Sequence, residues 1–164
     1  MRDRDCCIAS VARGVHHDAV SEYIAFFIAT SDDEAAAVRT QGPNPSLPAV
    51  SGAYFDADDA IVMWEDLLTG EVHDASASGE RPRLVAPWVN DGSAVFAMSD
   101  ELTAALARAE SPRLRRVAQA WSAEVFRDGG DIDADAALGI VTGVAELACK
   151  AIHSGHGVYC WVSC

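Results

Sequence analysis

The sequence predicts an α+β domain in which about five helices pack on a small mixed or antiparallel sheet of about four strands. Short runs of β-branched and aromatic residues occur in mixed order with longer segments whose apolar residues recur at helical spacing. Capping residues, glycines and prolines separate these runs. The chain has 164 residues, half of them hydrophobic, which is enough to bury the core of one domain.

The amino-terminal part differs from the rest of the chain. Residues 1–19 are charged, contain paired cysteines and paired histidines, and have no sustained apolar period. We therefore expect an amino-terminal arm over residues 1–19, followed by a single domain over residues 20–164.

The first strand is predicted at 22–29, where the sequence reads EYIAFFIA. Ser31 and Glu34 have the spacing of a capping box, which predicts a short helix that ends near Thr40. The segment 42–52 contains three prolines and is expected to be a loop.

A second helix is predicted after Asp56, which can cap it, while Asp58 and Asp59 complement the positive end of its dipole. Gly70 is a suitable left-handed stop. The buried face is expected to carry Ile61, Trp64 and Leu68. The small, polar segment 71–82 is expected to be a mobile surface loop.

A hairpin is predicted from strand-like runs at 84–89 and 93–98, which flank Asn-Asp-Gly. Gly92 is expected to adopt a positive φ. Pro87 cannot donate to a strand ladder, so its strand is predicted to lie at an edge of the sheet or to be irregular there.

The carboxyl-terminal part predicts three helices and a last strand. Ser99 is expected to cap the third helix. Ser111, which is followed by a proline, is expected to cap the fourth helix, and Asp133 is expected to cap the fifth and longest helix. The fifth helix is expected to stop at Gly155, and 158–164 has the composition of a strand.

The net charge of the chain indicates which classes of molecule it can bind. Twelve Lys and Arg stand against 25 Asp and Glu, for a net charge of −13 and a pI near 4.5. Such a surface repels phosphate backbones and anionic membranes, so neither nucleic acid nor a membrane is predicted as a partner. It suits a basic protein, although acidity also simply favours solubility. Five cysteines, an odd number, predict reduced thiols in the cytoplasm.

The sequence HSGHGVYCWVSC near the carboxyl terminus invites a metal site, with His153, His156 and Cys160 as the possible ligands. In a strand, Cys160 and Cys164 would lie roughly 13 Å apart at about 3.3 Å per residue. One tetrahedral zinc ion could not bind both sulfurs. We therefore predict no metal site and interpret Cys160 as a small buried apolar residue.

A second possible metal site also fails on its spacing. Asp131, Asp133 and Asp135 match the first three ligands of a calcium loop, but Ala136 replaces its glycine and Thr142 its bidentate glutamate. The chain contains no nucleophile elbow, phosphate loop, dinucleotide-binding glycine pattern or zinc-protease motif. The sequence therefore predicts no catalytic residue and no cofactor.

A family resemblance rests on the runs EYIAFFIA, WEDLLTG, AMSDEL and GVYCWV in this order. Over about residues 20–164 the chain resembles a group of uncharacterised actinobacterial proteins that end in a similar Tyr-Cys-Trp strand. More distantly it is similar to the YfbM-like family, in which a helix ending Leu-Leu-Thr-Gly precedes a polar loop and a strand. The resemblance implies a fold and no activity.

Two functions are expected from these observations. The favoured one is a non-enzymatic bacterial binding protein, of immunity or regulatory type, that acts on a cationic protein. The alternative is a small-molecule-binding protein or enzyme with a cleft near residues 71–82. Aromatic and histidine side chains would line that cleft, and the candidates are Trp64, His73, Trp88 and Tyr159.

Overall fold

A computed structural model of the chain describes residues 23–52, 55–70, 81–89 and 92–163. The predicted arm over residues 1–19 and most of the predicted loop at 71–82 lie outside the described residues. The described ranges contain five helices and five strands, which confirms the predicted α+β class. In chain order the elements are β1 (Tyr23–Ala29), α1 (Asp32–Ala37), β2 (Ala49–Gly52), α2 (Ala57–Thr69), β3 (Arg83–Ala86), β4 (Ser93–Ala97), α3 (Asp100–Arg108), α4 (Ser111–Arg127), α5 (Ala134–Ser154) and β5 (Gly157–Ser163).

The five strands form one antiparallel sheet in the order β2-β1-β5-β4-β3. The last strand of the chain is therefore its centre, and Cys160 lies between Phe26 of β1 and Phe96 of β4. The hairpin prediction is confirmed, because β3 pairs with β4 and Gly92 has a φ of +74°. The strand predicted to contain Pro87 ends at Ala86, before the proline, and lies at an edge of the sheet.

The loop predicted over 42–52 is wrong at its end, where the last four residues form the edge strand β2. Ala49 pairs with Phe27, and Val50 with Phe26. The strand is too short to produce a readable alternation of apolar and polar residues. Val50 of this strand packs against Gly143 of α5. The contact is so close that a Cβ on Gly143 would lie 2.8 Å from a methyl group of Val50.

The two faces of the sheet carry separate apolar clusters. On the first face, residues such as Phe26, Phe96 and Cys160 pack against helices α2 to α5 and form the main core. On the second face, a smaller cluster around Phe27 and Tyr159 packs against α1. Alternation along each strand assigns neighbouring residues to opposite faces.

The helix termini largely follow the predictions. Ser31 accepts a hydrogen bond from the Glu34 amide, and Asp133 accepts from two amides of the first turn of α5. Gly70 and Gly155 are both left-handed. The predicted cap of α4 is shifted by one residue, because Glu110 is the capping residue and Ser111 is already helical. Boundaries of this kind are set by backbone geometry that composition only approximates.

The longest helix, α5, contacts β1, β2 and β5 on the sheet and packs against α3 and α4. Among the described residues it is the one helix whose length and apolar composition would suffice to cross a membrane. Core helices of globular proteins share those properties, and 39% of its most apolar window is buried within this fold.

Candidate functional site

Helices α2 and α4 pack antiparallel, so each end of α2 lies beside the opposite end of α4. The Trp64 ring of α2 lies 5.0 Å from the Trp121 ring of α4, centroid to centroid, in an edge-on arrangement. Near the carboxyl end of α2, Arg113 of α4 donates a hydrogen bond to the Leu68 carbonyl. Near its amino end, Phe55 contacts Trp121, with ring centroids 4.8 Å apart. The start of α2 therefore lies beside the later turns of α4.

The start of α5 joins the same region. The Ser122 hydroxyl of α4 donates to the Ile132 carbonyl at 2.7 Å, which holds the chain that leads into α5 against α4. A Cβ on Gly52 would contact both Phe55 and Ile140 of α5, so α5 also approaches the start of α2 here. One end of the helical layer is thus built from the starts of α2 and α5 and the end of α4.

This end is strongly acidic. Residues 55–59 and 124–135 contain eight acidic residues and one basic residue, Arg127, which is paired with Glu124. We refer to the eight carboxylates as the acidic end: Asp56, Asp58, Asp59, Glu124, Asp128, Asp131, Asp133 and Asp135. Six of them are exposed and two are half-buried. The resulting negative potential attracts cationic groups.

Three of these carboxylates are crowded together at the start of α2. One oxygen from each of Asp56, Asp58 and Asp59 lies within 4.8 Å of the other two. Desolvation of the carboxyl, a hydrogen bond with Asp58 and the charges of Asp58 and Asp59 raise the pKa of Asp56 to about 7. Water reaches the exposed Asp56 and offsets part of the desolvation, and the neighbouring carboxyls contribute to the shift as well.

The crowded carboxylates are chemically suited to a cation. Carboxylate oxygens are the ligands that hard divalent ions prefer, but calcium takes six to eight oxygens and three side chains supply only part of such a set. A lysine or arginine side chain needs fewer ligands and gains from each carboxylate it neutralises. The arrangement therefore favours a protein cation over a stably held metal ion.

A separate cavity of about 240 Å³ lies where β3 and β4 meet α2, next to residues 81–82. Its polar part is centred on Glu65, which is buried. The Glu65 carboxylate accepts hydrogen bonds from Arg81 and from the Ser99 hydroxyl, and Arg81 also reaches Asp66 at 3.4 Å. Both oxygens of Glu65 are thus used within the protein. The network fastens the start of β3 to α2 and leaves this carboxylate no evident role as a base.

The predicted cleft residues are not brought together. Trp64 is fully buried in the main core between Phe26 and Trp121, and its indole N–H has no hydrogen-bond partner within the described residues. Tyr159 belongs to the cluster on the second face of the sheet, so the sheet separates it from Trp64. Trp88 is 45% exposed and packs edge-on against Phe96. His73 lies outside the described residues.

Tyr159 has a structural partner. Its hydroxyl donates a hydrogen bond to Asp32 at 3.0 Å. Arg83 donates two hydrogen bonds, of 2.6 and 3.0 Å, to the same carboxylate. The hydrogen bond from Arg83 is the main cause that lowers the pKa of Asp32. Burial and the contact with Asp32 raise the pKa of Tyr159 to about 12. The three side chains tie α1 to β3 and β5.

The possible metal ligands lie in different environments. Cys160 faces the main core and is fully buried, and burial raises the pKa of its thiol. His153 and His156 are exposed around the stop of α5, where the His153 ring contacts the Cys149 carbonyl at 2.7 Å.

Sequence reasoning missed Glu65 and Arg81. They are 16 residues apart in the chain and meet in the fold, where Arg81 lies beside α2. The signal in the sequence was that an acidic residue, Glu65, directly follows Trp64 of the predicted buried face of α2.

Comparison with known proteins finds no matching family model, no matching curated protein and no matching solved structure. The family resemblance described above therefore stays a prediction.

Proposed function

We propose that the chain is a non-enzymatic binding protein that docks a basic protein against its acidic end. The proposal rests on the crowding of Asp56, Asp58 and Asp59 at the start of α2 and on the five further carboxylates at the end of α4 and the start of α5, which lie at the same end of the helices. Acidic surfaces that serve only solubility need no such convergence, since scattered charges have the same effect.

The crowding at Asp56 supports the same function. Partial burial and the neighbouring carboxyls together raise the pKa of Asp56 to about 7, so the cluster is destabilised when all three carboxyls are ionised. An incoming lysine or arginine removes this repulsion, so part of the cost of bringing the carboxylates together is recovered only on binding. The partner that fits is therefore a protein surface with several exposed basic side chains.

The proposal is tested with a lysine-rich synthetic peptide as the probe, and its binding is followed by fluorescence anisotropy at low salt. The double variant Asp128→Asn, Asp131→Asn neutralises two exposed carboxylates of the acidic end for which no hydrogen bond is described. We expect it to weaken binding by about tenfold, because charge-assisted contacts are each worth roughly 1 kcal/mol or more.

The matched control is Glu110→Gln, Glu146→Gln. Both residues are exposed and lie outside the acidic end, so the net charge changes by the same amount. We expect this control to stay within about twofold of the parent. Equal losses in the two variants would mean that only the total charge matters, and the proposal would then fail.

A further inference from the structure

The opposite end of α4 carries the reverse charge. Four arginines occur within nine residues, Arg108 at the end of α3 and Arg113, Arg115 and Arg116 at the start of α4. All four are exposed, and within the described residues none of them lies within ion-pair distance of a carboxylate. The chain has about twice as many acids as bases, so a cluster of unpaired arginines is an arrangement that scattered charges would not produce.

Two of these arginines border a groove between α2 and α4. The groove has a volume of about 410 Å³, and its apolar lining is Leu67, Val117 and Ala120. Leu67 is 41% exposed, whereas Val117 forms a buried floor. Arg113 and Arg116 are three residues apart on α4 and line the same groove.

Arg113 is held in place before any ligand arrives. It donates to the Leu68 carbonyl at the end of α2, which fixes its guanidinium at the rim of the groove. The other N–H donors of a guanidinium stay available and match the geometry of a carboxylate. A fixed donor loses less conformational entropy on binding than a free one.

We infer that this groove binds an acidic, amphipathic segment of another protein. The carboxylates of that segment pair with Arg113 and Arg116, and an apolar side chain packs on Leu67. This surface is distinct from the acidic end in place and in sign, so the inference does not rest on the proposed function.

Charge and shape both favour this occupant. A long polyanion such as nucleic acid would meet the field of a chain with net charge −13, whereas a short acidic segment meets chiefly the local arginines. A small inorganic anion would make no use of the apolar lining. An acidic segment that carries an apolar residue uses both parts of the groove.

The probe is a short fluorescein-labelled helical peptide with leucine and glutamate along one face, and its binding is measured by anisotropy. Arg116→Glu removes an arginine for which no hydrogen bond is described, so we expect the fold to persist, as circular dichroism can verify. We expect this variant to weaken binding by at least about tenfold. Its matched control is Lys150→Glu, an exposed residue of α5, which we expect to leave binding within about twofold.

A second pair of variants tests the apolar contact. Leu67→Ser is expected to weaken binding by about fivefold, because an exposed leucine is only partly covered by a ligand. Its control is Ile152→Ser, since Ile152 is 49% exposed on a different helix and should leave binding unchanged.

Three results would overturn the inference. Equal losses for Arg116→Glu and Lys150→Glu would reduce the effect to total charge. An unchanged affinity for Leu67→Ser, with displacement of the peptide by inorganic phosphate, would indicate a simple anion site. Salt-sensitive self-association of the parent in sedimentation velocity, lost in Arg116→Glu, would make a second copy of the chain the occupant.

Discussion

The Trp64 ring lies edge-on to the Trp121 ring at an interplanar angle of 86°, and this contact joins α2 to α4 at the centre of the main core. Both side chains are almost completely buried. Because the two helices are antiparallel, the contact separates an acidic end from an arginine cluster at the other end of α4. The packing of these two rings therefore helps to set the positions of the acidic end and of the arginine cluster.

Replacement of Trp121 by alanine is expected to lower the free energy of unfolding by about 3–5 kcal/mol, since it removes a large buried ring and leaves a cavity. Urea denaturation followed by circular dichroism measures this loss. A decrease below about 1 kcal/mol would show that the ring is not a principal contact of the core.

Two glycines are expected to respond in opposite directions to alanine. Gly42 has a φ of +75°, and a Cβ there would lie 3.1 Å from the Trp161 ring, so Gly42→Ala should destabilise the fold by about 1–3 kcal/mol. A Cβ on Gly139 within α5 would meet nothing within 4 Å, so Gly139→Ala should stabilise it by about 0.5–1 kcal/mol. Thermal denaturation of both variants checks the signs. A stabilising Gly42→Ala would contradict the described turn.

The network around Glu65 gives a third prediction. Glu65→Ala leaves the partly buried Arg81 without its main acceptor and is expected to cost about 2–3 kcal/mol of stability. Asp66 also contacts Arg81 but is more exposed, and Asp66→Ala should cost less than about 1 kcal/mol. Chemical denaturation compares the two, and equal costs would argue against the central place of Glu65.

Asp56 makes stability depend on pH. Its pKa is raised from 3.8 to about 7, so between these values the folded chain binds more protons than the unfolded chain. Stability from this group is therefore present at low pH and is lost as the pH rises through 7. The Asp56 side chain makes no capping hydrogen bond that Asp56→Asn would remove. The variant is expected to be more stable than the parent at pH 8, with the advantage vanishing below about pH 4. Thermal melts across this range test it, and an advantage largest in acid would be the wrong sign.

Local features of the fold were predictable from the sequence because they depend on neighbouring residues. The cap at Ser31, the left-handed stops at Gly70 and Gly155, and the hairpin turn at Gly92 all follow from short-range chemistry, although Glu34 binds Thr30 rather than the Ser31 amide of the predicted capping box. The edge strand β2 was not predictable, since four residues do not establish a period.

The arrangement of functional groups required the topology. Asp32 and Arg83 are 51 residues apart in the chain and meet across the second face of the sheet. Trp64 and Tyr159 were grouped as candidates for one cleft, but which face of the sheet each occupies depends on the strand register. The sequence shows 25 acids but does not show that α2, α4 and α5 bring eight of them to one end.

The central claim is that the acidic end is a binding surface, and amide chemical shifts recorded during a titration with the lysine-rich peptide test it most directly. We predict that the largest shifts fall within residues 56–59 and 124–135 and that they are lost in the Asp128→Asn, Asp131→Asn variant. Shifts spread evenly over the acidic residues of the whole chain, or concentrated away from those two segments, would contradict the account.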